Sequence, residues 1–313
     1  MNWMTPRTGG LALLATVLLL LPLGMINNYW YEVAIQVGLN AIVCIGLNLL
    51  IGYAGQISLG HAGFFGLGAY GCAILATRYG VPPALSILLT TAGVALLALL
   101  VGRPILRLKG HYLAMATLGL GIIISIVIVT EDKFTGGPDG MSVPALSLFG
   151  LTLAGERMWY WVIAATLFIA AALTLNLIES PIGRALRALN GSEVGARVSG
   201  IDATRAKVGV FVLSAVFAAF AGSLMAYYSG FITPSKASFF HSIELVAMVV
   251  FGGMSSTFGA IIGATALTLL PQLLTVLKEY EIVVFGGVMV VTMIFFPKGF
   301  LPSLMLLIAR KRK

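Results

Sequence analysis

Apolar stretches about twenty residues long recur along nearly the whole of this 313-residue chain, and no other feature narrows its fold so far. About 20 apolar residues in a helix cross the roughly 30 Å of hydrocarbon in a bilayer. In that hydrocarbon every backbone N–H and C=O needs a partner within the protein, and a helix supplies one for each. Ten such segments are predicted, at roughly 9–26, 33–54, 62–77, 84–102, 112–130, 158–178, 208–230, 241–251, 258–277 and 282–296. The residue balance agrees: 59% of residues are hydrophobic and 10% charged, against about 25% charged in a soluble domain. The reading is an all-α polytopic membrane protein of about ten transmembrane helices, one domain over residues 1–313.

Orientation follows from where the cations fall. With the N-terminus in the cytoplasm, most of the 19 basic residues lie inside: Arg7, Arg103, Arg107, Lys109, Arg184, Arg187, Arg197, Arg205, Lys207, Lys298 and the RKRK tail. Such a bias is the usual signature of cytoplasmic loops. Both termini are then cytoplasmic. Merging 241–277 into one helix would carry the tail outside, so a break is predicted near 251–259. The net charge of +8 is explained by this asymmetry and by anionic lipid, and no nucleic-acid role is needed. The start of the chain resembles a signal peptide, but no small-x-small site follows its apolar run, and it is read as a retained first span. Cys44 and Cys72 both fall in apolar segments, and no disulfide is expected.

The longest cytoplasmic segment, 179–207, is polar but ordered in pattern. Ser180 and Pro181 read as an N-cap and first-turn pair. Ile182, Leu186 and Leu189 mark one face of a short helix, Arg184 and Arg187 another. Ser192 is placed to cap a second short helix through Glu193 to Ser199, which Gly200 ends. Two amphipathic helices at the membrane surface are therefore predicted. They form either a solvated linker or a docking element, in which the small residues Gly195 and Ala196 would admit a partner closely. No phosphate-binding G-x-x-x-x-G-K-[ST] loop occurs, so any ATPase must be another polypeptide.

Polar groups inside the spans are few. The run GYAGQISLGHAGFFGLGAY, 52–70, gathers glycines with Gln56, Ser58 and His61. Glycines there either bring helices close or let a helix break and expose its backbone to a cavity, and both uses stay open. Asn40 and Asn48 share a face of the second span, bridging helices or touching solute. Glu244 is the sole acid placed within a span, near its outer end, with an interhelical hydrogen bond as its expected partner. No Arg or Lys is placed in a span beside it, so no tight site for a zwitterion is expected. The segment 251–264 echoes 52–68 in glycine and small-residue pattern, a hint of an internal repeat. His111 and His241 have no companion ligands, so no metal site and no cofactor are predicted, and no catalytic set is found.

Five stretches in order carry a resemblance: NLLIGYAGQISLGHAGFFGLGAY (48–70), LRLKGHYLAMATLG (106–119), TGGPDGMSVP (135–144), SPIGRALRAL with SEVGARVSGID (180–202), and SIELVAMVVFGG with FGAIIGA (242–264). Together they resemble the branched-chain amino acid ABC-transporter permeases of the LivM type, over about residues 35–302. The resemblance implies an inner-membrane importer in bacteria. Its partners would be a sister permease in a heterodimer, two cytoplasmic ATP-binding subunits and a periplasmic solute-binding protein. The loop at 180–200 is similar to the loop that docks on the ATPase, with Ser180, Pro181, Gly183, Arg184, Arg187, Glu193, Gly195, Ala196 and Gly200 as its coupling residues. It departs from the family's E-A-A spacing. Ser255 stands where relatives carry a glycine. Asn40, Asn48, Gln56, Ser58, His61 and Glu244 are the candidates for the translocation path. Relatives also carry urea, amides and aromatic acids. An ion-coupled secondary transporter is the competing class, but such carriers bury several ionisable groups and this chain offers one.

Overall fold

The computed structural model describes residues 6–25, 27–148, 151–273, 286, 287, 290, 299 and 300. All but three residues of the tenth predicted segment, 282–296, lie outside these, as do Lys298 and the basic tail. The described part is built of helices: α1 (Pro6–Gly24), α2 (Asn28–Asn48), α3 (His61–Tyr79), α4 (Pro83–Ile105), α5 (His111–Thr130), the short α6 (Asp132–Thr135), α7 (Glu156–Glu179), α8 (Pro181–Gly191), α9 (Glu193–Val198), α10 (Ala203–Ser229), α11 (Phe239–Gly252) and α12 (Thr257–Leu273). Five of them, counting α2 with its extension to Tyr53, are long and apolar enough to cross a membrane. Nine of the ten predicted segments coincide with helices to within a few residues. The break predicted near 251–259 is the turn between α11 and α12, where Gly253 and Ser255 take positive φ.

Helix directions follow from which residues meet. Gly102 lies against Phe211 and Ser86 against Tyr227, so α4 and α10 run antiparallel. Gly68 lies against Ala219 and Cys72 against Ser223, so α3 and α10 run parallel. Gly252 against Gly259 and Gly263 against Met248 make α11 and α12 an antiparallel hairpin. Asn40 with Thr268 and Asn48 with Ser256 set α2 antiparallel to α12. These directions agree with a chain that crosses in alternate senses. One end of the bundle gathers residues 48–60, 103–111, 179–207 and 252–257; the other gathers the ends near 25–31, 79–83, 130–158 and 229–240.

The glycines of the 52–70 run are contact points. A Cβ on Gly60 would strike the Thr117 carbonyl, and one on Gly68 the Ala219 carbonyl. Gly222 is the reciprocal case, held against the Phe65 carbonyl. Backbones touch there because lipid provides no hydrophobic drive between helices, and close van der Waals packing must supply the attraction. Ser223 Oγ donates to the Gly68 carbonyl at 2.9 Å across the same contact. The core of the bundle is α2, α3 and α10, whose facing residues such as Ile42, Phe64, Leu47 and Phe211 are fully buried. By contrast α4 and α5 leave Leu96, Leu100, Ile123 and Ile126 exposed, as lipid-facing or partner-facing helices do.

The end away from α8 is capped by short elements. Strand β1 (Met141–Ser142) comes from the glycine-rich run 135–144. Strands β2 (Ser147–Leu148) and β3 (Leu151–Thr152) pair with each other, and β4 (Phe231–Ile232) pairs antiparallel with β1. The 135–144 run is thus tied to the end of α10.

Candidate functional site

At the end of α2 the helix widens. Residues Leu49–Tyr53 form a π-helical turn, with Ala54 N–H donating to the Leu49 carbonyl at 3.2 Å. Such turns are rare and recur at functional sites. Gly55 then takes φ +65°, and the chain runs irregularly to His61, where α3 begins. The α11–α12 turn abuts this widened turn. Asn48 Nδ2 donates to the Ser256 carbonyl at 2.7 Å, and its Oδ1 accepts from the Ser255 N–H at 3.0 Å. Tyr53 donates its hydroxyl proton to the Ser255 carbonyl at 2.6 Å, and Ser255 Oγ donates to the Gly52 carbonyl at 2.6 Å. A serine at φ +64° is uncommon. Here its hydroxyl bond and two backbone bonds hold that conformation in place. The two stretches that echo each other in sequence meet in space.

A third segment joins them. Asn190, at the end of α8, donates from Nδ2 to the same Gly52 carbonyl at 2.7 Å. The Gly52 carbonyl thus accepts from the α11–α12 turn and from the polar loop together. Nothing in the sequence pattern marks Asn190 for this; it reads there as a helix stop.

The loop itself folds as two helices. Ser180 Oγ accepts from the N–H groups of Ile182 and Gly183, and Pro181 opens α8 where no N–H is needed. Gly183 fits under Ile178, whose backbone would collide with a Cβ there. Arg184 reaches back to the Glu179 carbonyl at 3.3 Å. Ser192 caps α9 by accepting from Gly195 N–H at 3.1 Å, and Gly200 ends it at φ +82°. Two expectations change. The inward face of α8 is Gly183, Leu186 and Leu189; Ile182 is exposed, because the tight α7–α8 turn seats the glycine there instead. Ala196 also faces inward, in a small cluster with Leu189 and Ala203, and is not free for a partner. The exposed apolar groups on α9 are Val194 and Val198, four residues apart on one face. Gly195 of α9 and Arg187 of α8 are exposed as well.

Glu193 holds the loop to α10. Lys207, buried in the first turns of α10, donates to Glu193 Oε2 at 2.9 Å, while Arg197 reaches Oε1 at 2.7 Å and Lys109 lies 3.9 Å away. The Lys207 hydrogen bond, followed by the charges around it, holds the Glu193 carboxyl below the ordinary carboxylate range. A carboxylate whose pKa is lowered on folding stabilises the folded loop above its unfolded pKa, and that contribution is lost as pH falls through the folded value. Amide protection over 192–200, as the exchange rate relative to that of the unstructured chain at the same pH, is therefore expected to be high near neutral pH and to fall on acidification through the carboxylate range. Glu193→Gln should show low protection at both. An identical pH profile in the variant would remove Glu193 from the account. The Lys207 pairing went unread in the sequence because the two residues are on different elements.

The remaining candidates are scattered along the bundle. Ser58 and His61 are both buried; His61 Nδ1 contacts Ser58 Oγ at 2.9 Å and Nε2 contacts Ser214 Oγ at 2.6 Å, between Phe64 and Phe211. In this conformation they are packed rather than lining a cavity. Gln56 is half-buried and donates to the Ala54 carbonyl at 3.0 Å. Asn40 Nδ2 donates to Thr268 Oγ1 at 3.0 Å, so both asparagines of α2 bridge to the α11–α12 hairpin. Glu244 lies in α11 and pairs with His241 Nδ1 at 3.0 Å, one turn back on its own helix rather than across to another.

The arrangement is a helical bundle with one polar loop anchored where α2 and the α11–α12 hairpin break. The family described as the branched-chain amino acid transport system permease component matches residues 29–293. The chain belongs to this permease family. The high-affinity branched-chain amino acid transport system permease protein LivM of Salmonella typhimurium is 35% identical over 258 residues, which is 75% of this permease and 61% of its own length. LivH of Escherichia coli, a permease protein of the same kind of system, is 26% identical over 64% of this chain and 66% of its own. The fructose import permease protein FrcC of Rhizobium meliloti is 24% identical over 60% of this chain and 54% of its own. This permease thus spans about three fifths of the length of the LivM relative it matches. No solved structure matches it. As a permease with several apolar helices it is a multi-pass membrane protein.

Proposed function

We propose that this chain is the transmembrane subunit of an ATP-driven importer for branched-chain or related amino acids in the bacterial inner membrane. It would cross about ten times with both termini in the cytoplasm. A sister permease would complete the path, two ATP-binding subunits would drive it, and a periplasmic binding protein would deliver solute. The residues 179–207 are the docking loop in this reading. The observation that carries it is the Asn190 bond to the Gly52 carbonyl, which ties that loop to the junction of α2 with the α11–α12 turn. Exposed Val194 and Val198 supply the apolar surface that a partner would cover. Asn40, Asn48, Gln56, Ser58, His61 and Glu244 remain the proposed path residues, the buried pair of Ser58 and His61 requiring a different conformation to reach it.

The test is reconstitution with the ATP-binding subunits, sister permease and binding protein that this reading requires. Leucine uptake into vesicles should require ATP and the binding protein. Val194→Asp with Val198→Asp should lose the ATP-binding subunits on purification while the bundle stays folded. Uptake that needs no ATPase and collapses with an ionophore would sink the importer reading in favour of an ion-coupled carrier.

A further inference from the structure

A cavity of about 710 Å³ opens among α2, α11, α12 and the 3-10 turn Pro234–Ala237, at the end of the bundle away from α8. Its size lies within the roughly 300–1,000 Å³ of small-molecule sites. The wall is mostly apolar, with Leu39, Met225, Met248 and Leu267 along it. Two opposite charges also line it, Lys236 and Glu244. Among the described residues Lys236 has no ion-pair partner. Glu244 Oε2 lies 3.0 Å from His241 Nδ1, which fixes the carboxylate against the cavity wall. Nε2 of the same ring is buried and has no hydrogen-bond partner, in a side chain that is 10% exposed.

The floor of the cavity is closed. Asn40 bonds Thr268 beside it, and Cys44 Sγ lies 3.8 Å from Met248 Sδ one turn further in. Asn48 continues the seam another turn on. What enters from the open end therefore stops above the Asn40–Thr268 bond until α2 and the hairpin part.

A cation, an anion and an aliphatic wall suit one kind of solute. A neutral sugar or amide gains little from either charge, and a simple ion is repelled by one of them. A zwitterion uses both. Glu244 is 44% exposed on its side chain and Lys236 is exposed, so each contact is weak, as a transit site requires.

We propose that this cavity is a transit site for a small zwitterion with an aliphatic side chain. Lys236 meets its carboxylate, Glu244 meets its ammonium, and the wall of Leu39, Met248 and Leu267 takes the side chain. The proposal rests on the importer reading above and assigns its solute-facing residues.

The experiment uses the assembled complex with Ile243→Cys, a half-buried position on the cavity wall. Cys44 and Cys72 are buried and add little background. A membrane-impermeant maleimide should label the new cysteine, and millimolar leucine should slow the labelling. Isocaproamide, which lacks both charges, and isocaproate, which lacks the ammonium, should not. Lys236→Gln or Glu244→Gln should abolish the protection and cut leucine uptake about fivefold, the loss of one weak charge contact. Should either variant fail to fold, the three-solute comparison on the unaltered charges decides alone. Equal protection by isocaproamide, protection that survives both neutralisations, or no labelling at all would overturn the proposal. Wild-type leucine uptake without protection would overturn it while leaving the importer reading intact; absence of wild-type uptake would overturn both.

Discussion

Asn190→Leu is expected to leave the bundle folded while cutting leucine uptake by more than about tenfold, with ATP hydrolysis continuing. The variant removes the donor that joins α8 to the Gly52 carbonyl. That carbonyl keeps its second donor, Ser255 Oγ, so no buried group is orphaned and the fold loses only about 1 kcal/mol. Asn48→Leu is the contrasting case. It strips partners from the half-buried Ser256 carbonyl and from the Ser255 N–H together and removes two hydrogen bonds between α2 and the α11–α12 turn, about 1 kcal/mol for each and more where water does not reach. Thermal unfolding in detergent should therefore separate the two: a small shift for Asn190→Leu, a large one for Asn48→Leu. Normal uptake by Asn190→Leu would break the link between loop and path.

Gly68→Val should yield almost no folded protein. Its Cβ would collide with the Ala219 carbonyl, and the neighbouring Gly222 is already pressed on the Phe65 carbonyl. No side chain can turn aside, since both obstacles are backbone. Parting α3 from α10 would also break the Ser223 bond to Gly68 and open the core around Phe64 and Phe211. Overpacking of a core costs about 1–3 kcal/mol where side chains give way, and two backbones give way far less. Gly93→Val in α4 is the control, because nothing lies within 4 Å of its Cβ position. The comparison is read as monodisperse protein recovered in mild detergent. Equal recovery of the two variants would mean that α3 and α10 are not packed backbone to backbone.

The spans were readable because bilayer thickness sets their length, and a helix of apolar residues has few other places to lie. The two caps of the loop were readable too, since Ser180 and Ser192 act on residues two or three positions away. Less legible was which residue at the edge of a short helix's face is buried. Leu186 and Leu189 of α8 are buried, as expected. Ile182 looked like core and is exposed, because the turn after α7 leaves room only for Gly183. Ala196 looked available and is covered by Leu189 and Ala203. The partners of Asn48 and Asn190 lie more than a hundred residues away, and no spacing rule reaches across that distance. Glu244 was expected to bond across helices, yet His241 stood one turn back with the right reach. Lys236 lies outside every apolar segment; only the fold brings it to the cavity that Glu244 lines.

Helix α10 has 27 residues, about 40 Å of rod at 1.5 Å each. Its first turns are pinned to α9 through Lys207 and Glu193, and its last residue passes directly into strand β4, paired with β1 at the opposite face. Along the way it is fused to α3 through backbone contacts that leave no slack to absorb a push. Helix α10 therefore ties the loop end of the bundle to the stranded end with no break in its own length at which the two could part.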